Sequence, residues 1–329
     1  MTTRAAWTLY RYADVHAALC DDRLVPYGVA TRGDATHIVV RDAVARELPP
    51  ALMARWRASF GGRADRILAT LSIGERVDLM RDVAQPWAYE AVVQVLAIPP
   101  QVAAASLPAA ATLFEESAIA CGGAPTHALT QAAVQLAAQL DAYGGAGTVQ
   151  SFVAITQTVP ALVGAAMLAL LQHPAQLAWL RAHGDAAVSR EVLAMATNEL
   201  LRFTGPSRAV FRIAVAPVTI RSAAIQIGDA VVLLLAQANR DPDVFINPEQ
   251  LDVQRAEPRH LAFGVGAHGC VGAGVVRLLL QEAIAAFVRS SREFDLDERD
   301  GVGVTWLDGF ALRAPRSIPT IVRERRATP

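Results

Sequence analysis

Lysine is absent from the 329 residues; all 30 basic side chains are arginine. The arginines are dispersed, which points to a GC-rich coding sequence rather than to a basic function. With 31 acidic residues they leave a formal net charge of −1, so no strong field of one sign invites nucleic acid or an anionic membrane. Cysteine is nearly as scarce. Cys20, Cys121 and Cys270 are too few and too scattered for a disulfide framework or a CxxC metal site. Cys20 and Cys121 read as small core residues; Cys270 stands in a more specific setting. Long apolar runs are missing as well, since Ala161–Leu171 falls below the roughly 20 residues that span a bilayer. Met1 to Tyr10 is polar, with no apolar core of signal-peptide length. These absences lead us to expect a cytoplasmic protein with neither a membrane nor a nucleic-acid partner.

What is present is apolar and periodic. Hydrophobic residues make up 53% of the chain, enough for a large buried core. The 3.6-residue periodicity predicts helices over Tyr12–Cys20, His37–Val44, Leu48–Ser72, Val77–Leu96, Val149–Leu171, Ala175–His183, Arg190–Phe203 and Val271–Ser291. Arg208–Val218, Val218–Ile227 and Ala230–Ala236 are β-rich, and Val302–Val322 alternates weakly, as pairing strands do. Leu261–Gly269 reads as a glycine-punctuated loop. The expected fold is mainly α with a small β region. No repeat or linker forces a division, so residues 1–329 read as one domain.

The segment that carries chemistry is Phe263-Gly264-Val265-Gly266-Ala267-His268-Gly269-Cys270-Val271-Gly272. Its glycines let the backbone adopt positive φ and lie close to a flat partner. It delivers one cysteine to the start of an apolar helix, where the helix dipole and unpaired N–H groups favour a thiolate. An isolated GxxxCxG would more often be a structural turn. The full pattern is more specific, and here the sequence resembles the cytochrome P450 family. The resemblance implies a haem-thiolate fold with b-type haem, in which Cys270 is the axial iron ligand and Phe263 shields its sulfur. Gly264, His268 and Gly272 stand where the family's haem-binding loop has their counterparts.

Other segments match in order. Glu199-Leu200-Leu201-Arg202 resembles the ExxR helix, whose Glu and Arg share a face at i, i+3. Arg212 follows Gly205-Pro206 where the family places a propionate ligand, and Ala238-Asn239-Arg240-Asp241-Pro242 precedes the loop as it does in the family. His37 and Arg41 match the family's HxxxR helix. The resemblance therefore implies that His37, Arg41, Arg212 and His268 hold the two haem propionates through charge-assisted hydrogen bonds.

The distal side departs from the family. Its AGxxT stretch falls on Ala154-Ile155-Thr156-Gln157-Thr158. Thr158 keeps the hydroxyl that helps deliver protons in oxygen activation, and Ala154 stays in place. Ile155 replaces the usual glycine and should narrow the space over the iron. Gln157 replaces the usual acid, and an amide holds a water but does not relay a proton as a carboxylic acid does. Pro160 is expected to kink the helix there. Gln250 occupies the usual position of a third ion-pair arginine, so Glu199 and Arg202 are expected to lack that partner. The resemblance begins at Trp7–Val15, which lies well inside the family's N-terminal region, and Gln101–Gln150 is short for four middle helices. A truncated version is expected, with an exposed distal face or one completed by a partner subunit or a homodimer.

The implied function is a monooxygenase acting on a small or carrier-tethered organic substrate in secondary metabolism, with electrons from a ferredoxin and its reductase. The Ile155 and Gln157 changes keep open a peroxide-driven or non-oxygenating reaction such as rearrangement, dehydration or coupling. The short middle region keeps open a non-catalytic haem-binding or partner protein.

Overall fold

The computed structural model describes residues 5–26, 42, 50–119, 126–183, 190–256, 259–299 and 301–325. The helix expected over His37–Val44, with His37 and Arg41, lies outside these residues, as does Cys121. Helices dominate. They are α1 (Tyr12–Cys20), α2 (Pro50–Ala69), α3 (Gln85–Leu96), α4 (Pro100–Ile119), α5 (His127–Leu140), α6 (Ala146–Gln172), α7 (Pro174–Ala182), α8 (Arg190–Thr204) and α9 (Ala273–Arg289).

The core forms around α6 and α9 because apolar residues run nearly all the way round both helices, with only a narrow polar stripe on each. Every residue from Val159 to Leu170 is buried, and α9 buries Val275, Val276, Leu278 to Leu280 and Glu282 to Val288. Helix α2 lies along α9 and places Trp56, Phe60 and Leu68 in the same cluster, with Trp87 of α3 edge-on to Phe60. Arg57 of α2 ties to Glu282 of α9 at 2.9 Å. The 27-residue α6 is long and apolar enough to cross a bilayer, contrary to the run-length reading. Its most apolar stretch is 78% buried inside the protein, as befits a core helix. Counting uninterrupted runs missed it because Gln150, Thr156 and Gln157 break the run without breaking the helix.

The β region holds a four-stranded sheet in the order β1 (Ala6–Leu9), β7 (Ala230–Leu233), β4 (Val210–Ala214), β2 (Leu24–Pro26). Strands β1 and β7 are parallel, whereas β4 runs antiparallel to both neighbours, with Arg212 opposite Val231 and Pro26. Between them, β5 (Val218–Ile220) and β6 (Ala223–Ile225) form a hairpin. A second apolar cluster under this sheet is built from Leu9, Val15, Leu19, Leu24, Ile225, Leu233 and Leu261, so it joins α1 and the cysteine loop to the strands. The tail pairs as its alternation predicts. Strand β11 (Pro319–Glu324) sits between β3 (Arg76–Asp78) and β8 (Arg292–Leu296), and β9 (Thr305–Asp308) pairs with β10 (Arg313–Ser317).

Three expectations need correction. The segment Val77–Leu96 is not one α-helix. Its start is strand β3, where the Asp78 carboxylate accepts from the N–H groups of Met80 and Ile318 and so ends the strand. A π-helical stretch, Leu79–Ala84, then leads into α3. Ala230–Ala236 is strand only to Leu233, after which the chain turns helically over Leu235–Ala238. Cys20 is exposed rather than core. It is the last residue of α1, off the face that buries Val15, Ala18 and Leu19.

Candidate functional site

The Phe263–Gly272 loop is held by its own backbone. Cys270 N–H donates to the Phe263 carbonyl at 2.8 Å, Gly264 N–H to Leu261 at 2.9 Å and Gly269 N–H to Gly266 at 3.1 Å. These bonds fold the chain back on itself and set Cys270 two residues before Gly272, the N-cap of α9. Gly264 and Gly266 have φ of +62° and +74°, where a β-carbon is strained. At Gly266 a β-carbon would also lie 2.6 Å from the Leu19 carbonyl oxygen, so the loop rests directly on the end of α1. Asn239 anchors the entry, its side-chain oxygen accepting from Leu261 N–H at 2.6 Å. Cys270 is exposed, and Phe263, Gly264, His268 and Gly272 are half-buried around it.

The Glu199–Arg202 pair is a buried hub, each side chain 1% exposed, with Arg202 Nε 2.7 Å from Glu199 Oε2. Arg202 donates further to the carbonyls of Asn239 (2.8 Å), Pro248 (2.8 Å) and Gln250 (3.2 Å). It thereby clamps the chain before the cysteine loop onto α8. The expectation that this pair lacks a third member is wrong. Arg255 supplies it, Nε to Glu199 Oε2 at 3.0 Å, and it also donates to Ile246 at 2.7 Å. Gln250 takes part through its carbonyl instead. Sequence reasoning looked for an arginine at one fixed position, whereas the loop can carry the charge from five residues further on.

Arg212 points inward from β4. It is 6% exposed, one Nη donates to the Phe211 carbonyl at 2.9 Å, and Nε is buried with no acceptor among the described residues. No carboxylate among those residues forms an ion pair with it. Burial alone pushes the guanidinium down to about 10. An uncompensated buried cation is costly and marks a place built for an anion.

Helix α6 carries the expected distal residues on a π-helical turn, Ala154–Thr158, closed by Val159 N–H donating to the Ala154 carbonyl. The kink expected from Pro160 takes this form. Proline lacks the N–H that would bond to Thr156 and crowds that carbonyl, and the wider turn accommodates both. Ala154 and Thr158 are half-buried, while Ile155 is 3% exposed and packs in the main core. Gln157 and Thr156 line a cavity of about 440 Å³ together with Tyr89, Phe114, Glu115 and Arg316. Gln157 Nε2 lies 3.4 Å from Thr156 Oγ1, which itself donates to the Phe152 carbonyl at 2.8 Å.

Two residues that sequence reasoning missed back the loop. Arg277, one turn into α9, lies over the Phe263 ring, 4.7 Å from guanidinium carbon to ring centre. Burial pushes it below the usual guanidinium range, opposed by the negative charge of a Cys270 thiolate. His260 is 8% exposed and packs against Phe263 at 5.8 Å. Neither falls on a motif position, and only their shared packing on Phe263 identifies them.

A family model described as Cytochrome P450 matches residues 180–305, the stretch that runs from α7 through α8, the sheet and the cysteine loop. Over this stretch the chain is similar to the cytochrome P450 family. Among relatives it is similar to cytochrome P450 monooxygenase PikC of Streptomyces venezuelae, 36% identical over 52% of this chain and 39% of that protein. The matched stretch thus spans well under half of that relative's length. Among solved structures it superimposes on P450BioI, in complex with hexadec-9Z-enoic acid ligated acyl carrier protein. That match has a TM-score of 0.82 and 22% identity, covering 96% of this chain and 91% of the other, and it shows the fold. The P450 CxnD, described for C–S bond formation in chuangxinmycin biosynthesis, matches with a TM-score of 0.79 at 25% identity over 98% and 89%.

The P450 family implies a haem, and the residues present fit one. The loop presents an exposed thiol on a glycine-bearing backbone able to lie close to a flat ring. The buried Arg212 Nε, without an acceptor among the described residues, matches a propionate carboxylate.

Proposed function

We propose that this P450 is a haem-thiolate monooxygenase acting on a small or carrier-tethered organic substrate in secondary metabolism, using dioxygen and electrons from a ferredoxin and its reductase. The observations that carry the reading are the exposed thiol of the Cys270 loop and the buried Arg212 guanidinium, which has no acidic partner among the described residues, on a strand that shares an apolar cluster with that loop. Cys270 is the iron ligand of a b-type haem, and Phe263, Gly264 and Gly272 shape the loop around it. Arg212 and His268, with His37 and Arg41, hold the propionates. When bound, the haem supplies the oxidising chemistry, and the protein supplies orientation, charge and protons. Ala154 and Ile155 belong to the helix turn that would lie beside the ring, with the Ile155 side chain held in the core behind it. Thr158 positions a hydroxyl there. Gln157 orders water in the neighbouring cavity rather than delivering a proton itself. The acyl-carrier-protein complex of P450BioI supports a carrier-tethered substrate, and the monooxygenase PikC supports the reaction class.

A second reading, peroxide-driven or non-oxygenating chemistry, is favoured by one observation: the acid of the family's distal pattern is the amide of Gln157. The C–S bond formation described for CxnD supports it. Turnover of free and carrier-bound acyl substrates by purified holoprotein separates the two. The first reading expects product that requires dioxygen and reduced ferredoxin. Product formed with peroxide alone, or without any oxidant, replaces it with the second.

A further inference from the structure

A cleft of about 790 Å³ opens beside the cysteine loop, lined by α8, α9 and the segment leading into Phe263. It shares Phe263, Gly264 and Val265 with the loop but does not include Cys270, Arg212 or Thr158 among its walls. Its charge is lopsided. Arg202, Arg255, Arg259 and Arg277 line it against the single carboxylate of Glu199, which is already spent on Arg202 and Arg255. Arg259 and Arg277 make no ion pair with any described carboxylate.

The wall also holds a buried donor with no acceptor among the described residues. His260 Nδ1 accepts from Ala262 N–H at 3.2 Å, so in the neutral ring the proton sits on Nε2. Nε2 is buried and has no partner among the described residues. The ring is neutral because burial, reinforced by the charges of Arg277 and Arg202, pushes His260 down to about 4. A buried N–H without an acceptor calls for a ligand that supplies one. Two guanidiniums and one fixed N–H, Arg259 and His260 from the segment before Phe263 and Arg277 from α9, suit a tetrahedral oxyanion, which offers acceptors in several directions.

We propose that this cleft is a binding site for the phosphate group of a small molecule, held by Arg277, Arg259 and the Nε2–H of His260. It goes beyond the proposed oxygenase reading and does not depend on it. An occupied site would place negative charge against Arg277, the residue stacked on Phe263, and so bears on the loop that presents Cys270.

The test is calorimetric titration of the holoprotein with inorganic phosphate and pyrophosphate, against acetate and chloride at constant ionic strength. The proposal expects saturable phosphate binding at least tenfold tighter than acetate or chloride. It expects that binding to weaken about tenfold in Arg277→Gln and in His260→Asn, whose side-chain carbonyl can still accept from Ala262, as befits loss of a charge-assisted hydrogen bond. Arg259→Gln, an exposed change that leaves the fold alone, should weaken it severalfold. Phosphate binding no tighter than chloride, or unchanged in Arg259→Gln and Arg277→Gln, overturns the proposal. So does binding of an acidic ferredoxin at this cleft with no measurable affinity for phosphate.

Discussion

Replacing Arg202 by methionine tests whether the buried hub holds the approach to the cysteine loop. The side chain is 1% exposed and gives five hydrogen bonds: two to Glu199 and three to the carbonyls of Asn239, Pro248 and Gln250. Methionine fills most of the volume but donates nothing. Glu199 would keep Arg255 and the Asp252 N–H at 2.9 Å, so its charge would be half-compensated rather than stranded. Breaking a buried pair by removing one partner costs about 3–5 kcal/mol. The three carbonyls lose a charged donor in the same step, and their costs overlap with that figure, so we place the total near 5 kcal/mol. That is a large share of the about 5–15 kcal/mol that a folded protein has in hand. Arg255→Gln removes only the outer cation and should cost about 1–2 kcal/mol. Urea unfolding followed by circular dichroism measures both. An Arg202→Met protein within about 1 kcal/mol of wild type would refute the clamp, as would a larger loss in Arg255→Gln than in Arg202→Met.

Further predictions follow from single residues. Arg212→Met should leave the apoprotein as stable as wild type or more so, because it removes an uncompensated buried cation, while haem retention falls at least tenfold; dye-exchange and haem-transfer assays read the two separately. His260 binds a proton in the unfolded chain below about 6.5 but in the folded chain only near 4. Stability should therefore fall as pH drops across that window, by up to about 1.4 kcal/mol per pH unit, and His260→Asn should flatten that slope in pH-dependent urea melts. Gly266→Ala sets a β-carbon against the Leu19 carbonyl at positive φ and should cost about 1–3 kcal/mol together with haem content, read by thermal melts and the haem-to-protein ratio. Under the oxygenase reading, Gln157→Glu restores a titratable acid on α6 and should raise the share of electrons that reach product.

Much of this was legible in the sequence wherever a local pattern decides the outcome. Helix α1 matches its predicted bounds, and α8 and α9 match theirs within two residues, because an apolar stripe, a stop signal and a buried face agree there. The cysteine loop was legible because glycine, phenylalanine and cysteine at fixed spacing have few other uses. What stayed hidden depends on partners distant in sequence. Strand β3 exists because β11, more than 240 residues away, pairs with it. Arg255 was invisible as the third member of the hub because a loop can bring a guanidinium home from several positions. His260 and Arg277 acquire meaning only from sharing Phe263. The π turn at Ala154–Thr158 was foreshadowed by Pro160, though its form was not.

The most direct test of the central claim is the optical spectrum of the reduced protein under carbon monoxide, for wild type and Cys270→Ser. A thiolate-ligated haem gives a strongly red-shifted Soret band in the wild type that vanishes in the variant while haem stays bound. Bound haem without that band in the wild type, or the same band in Cys270→Ser, would contradict that claim.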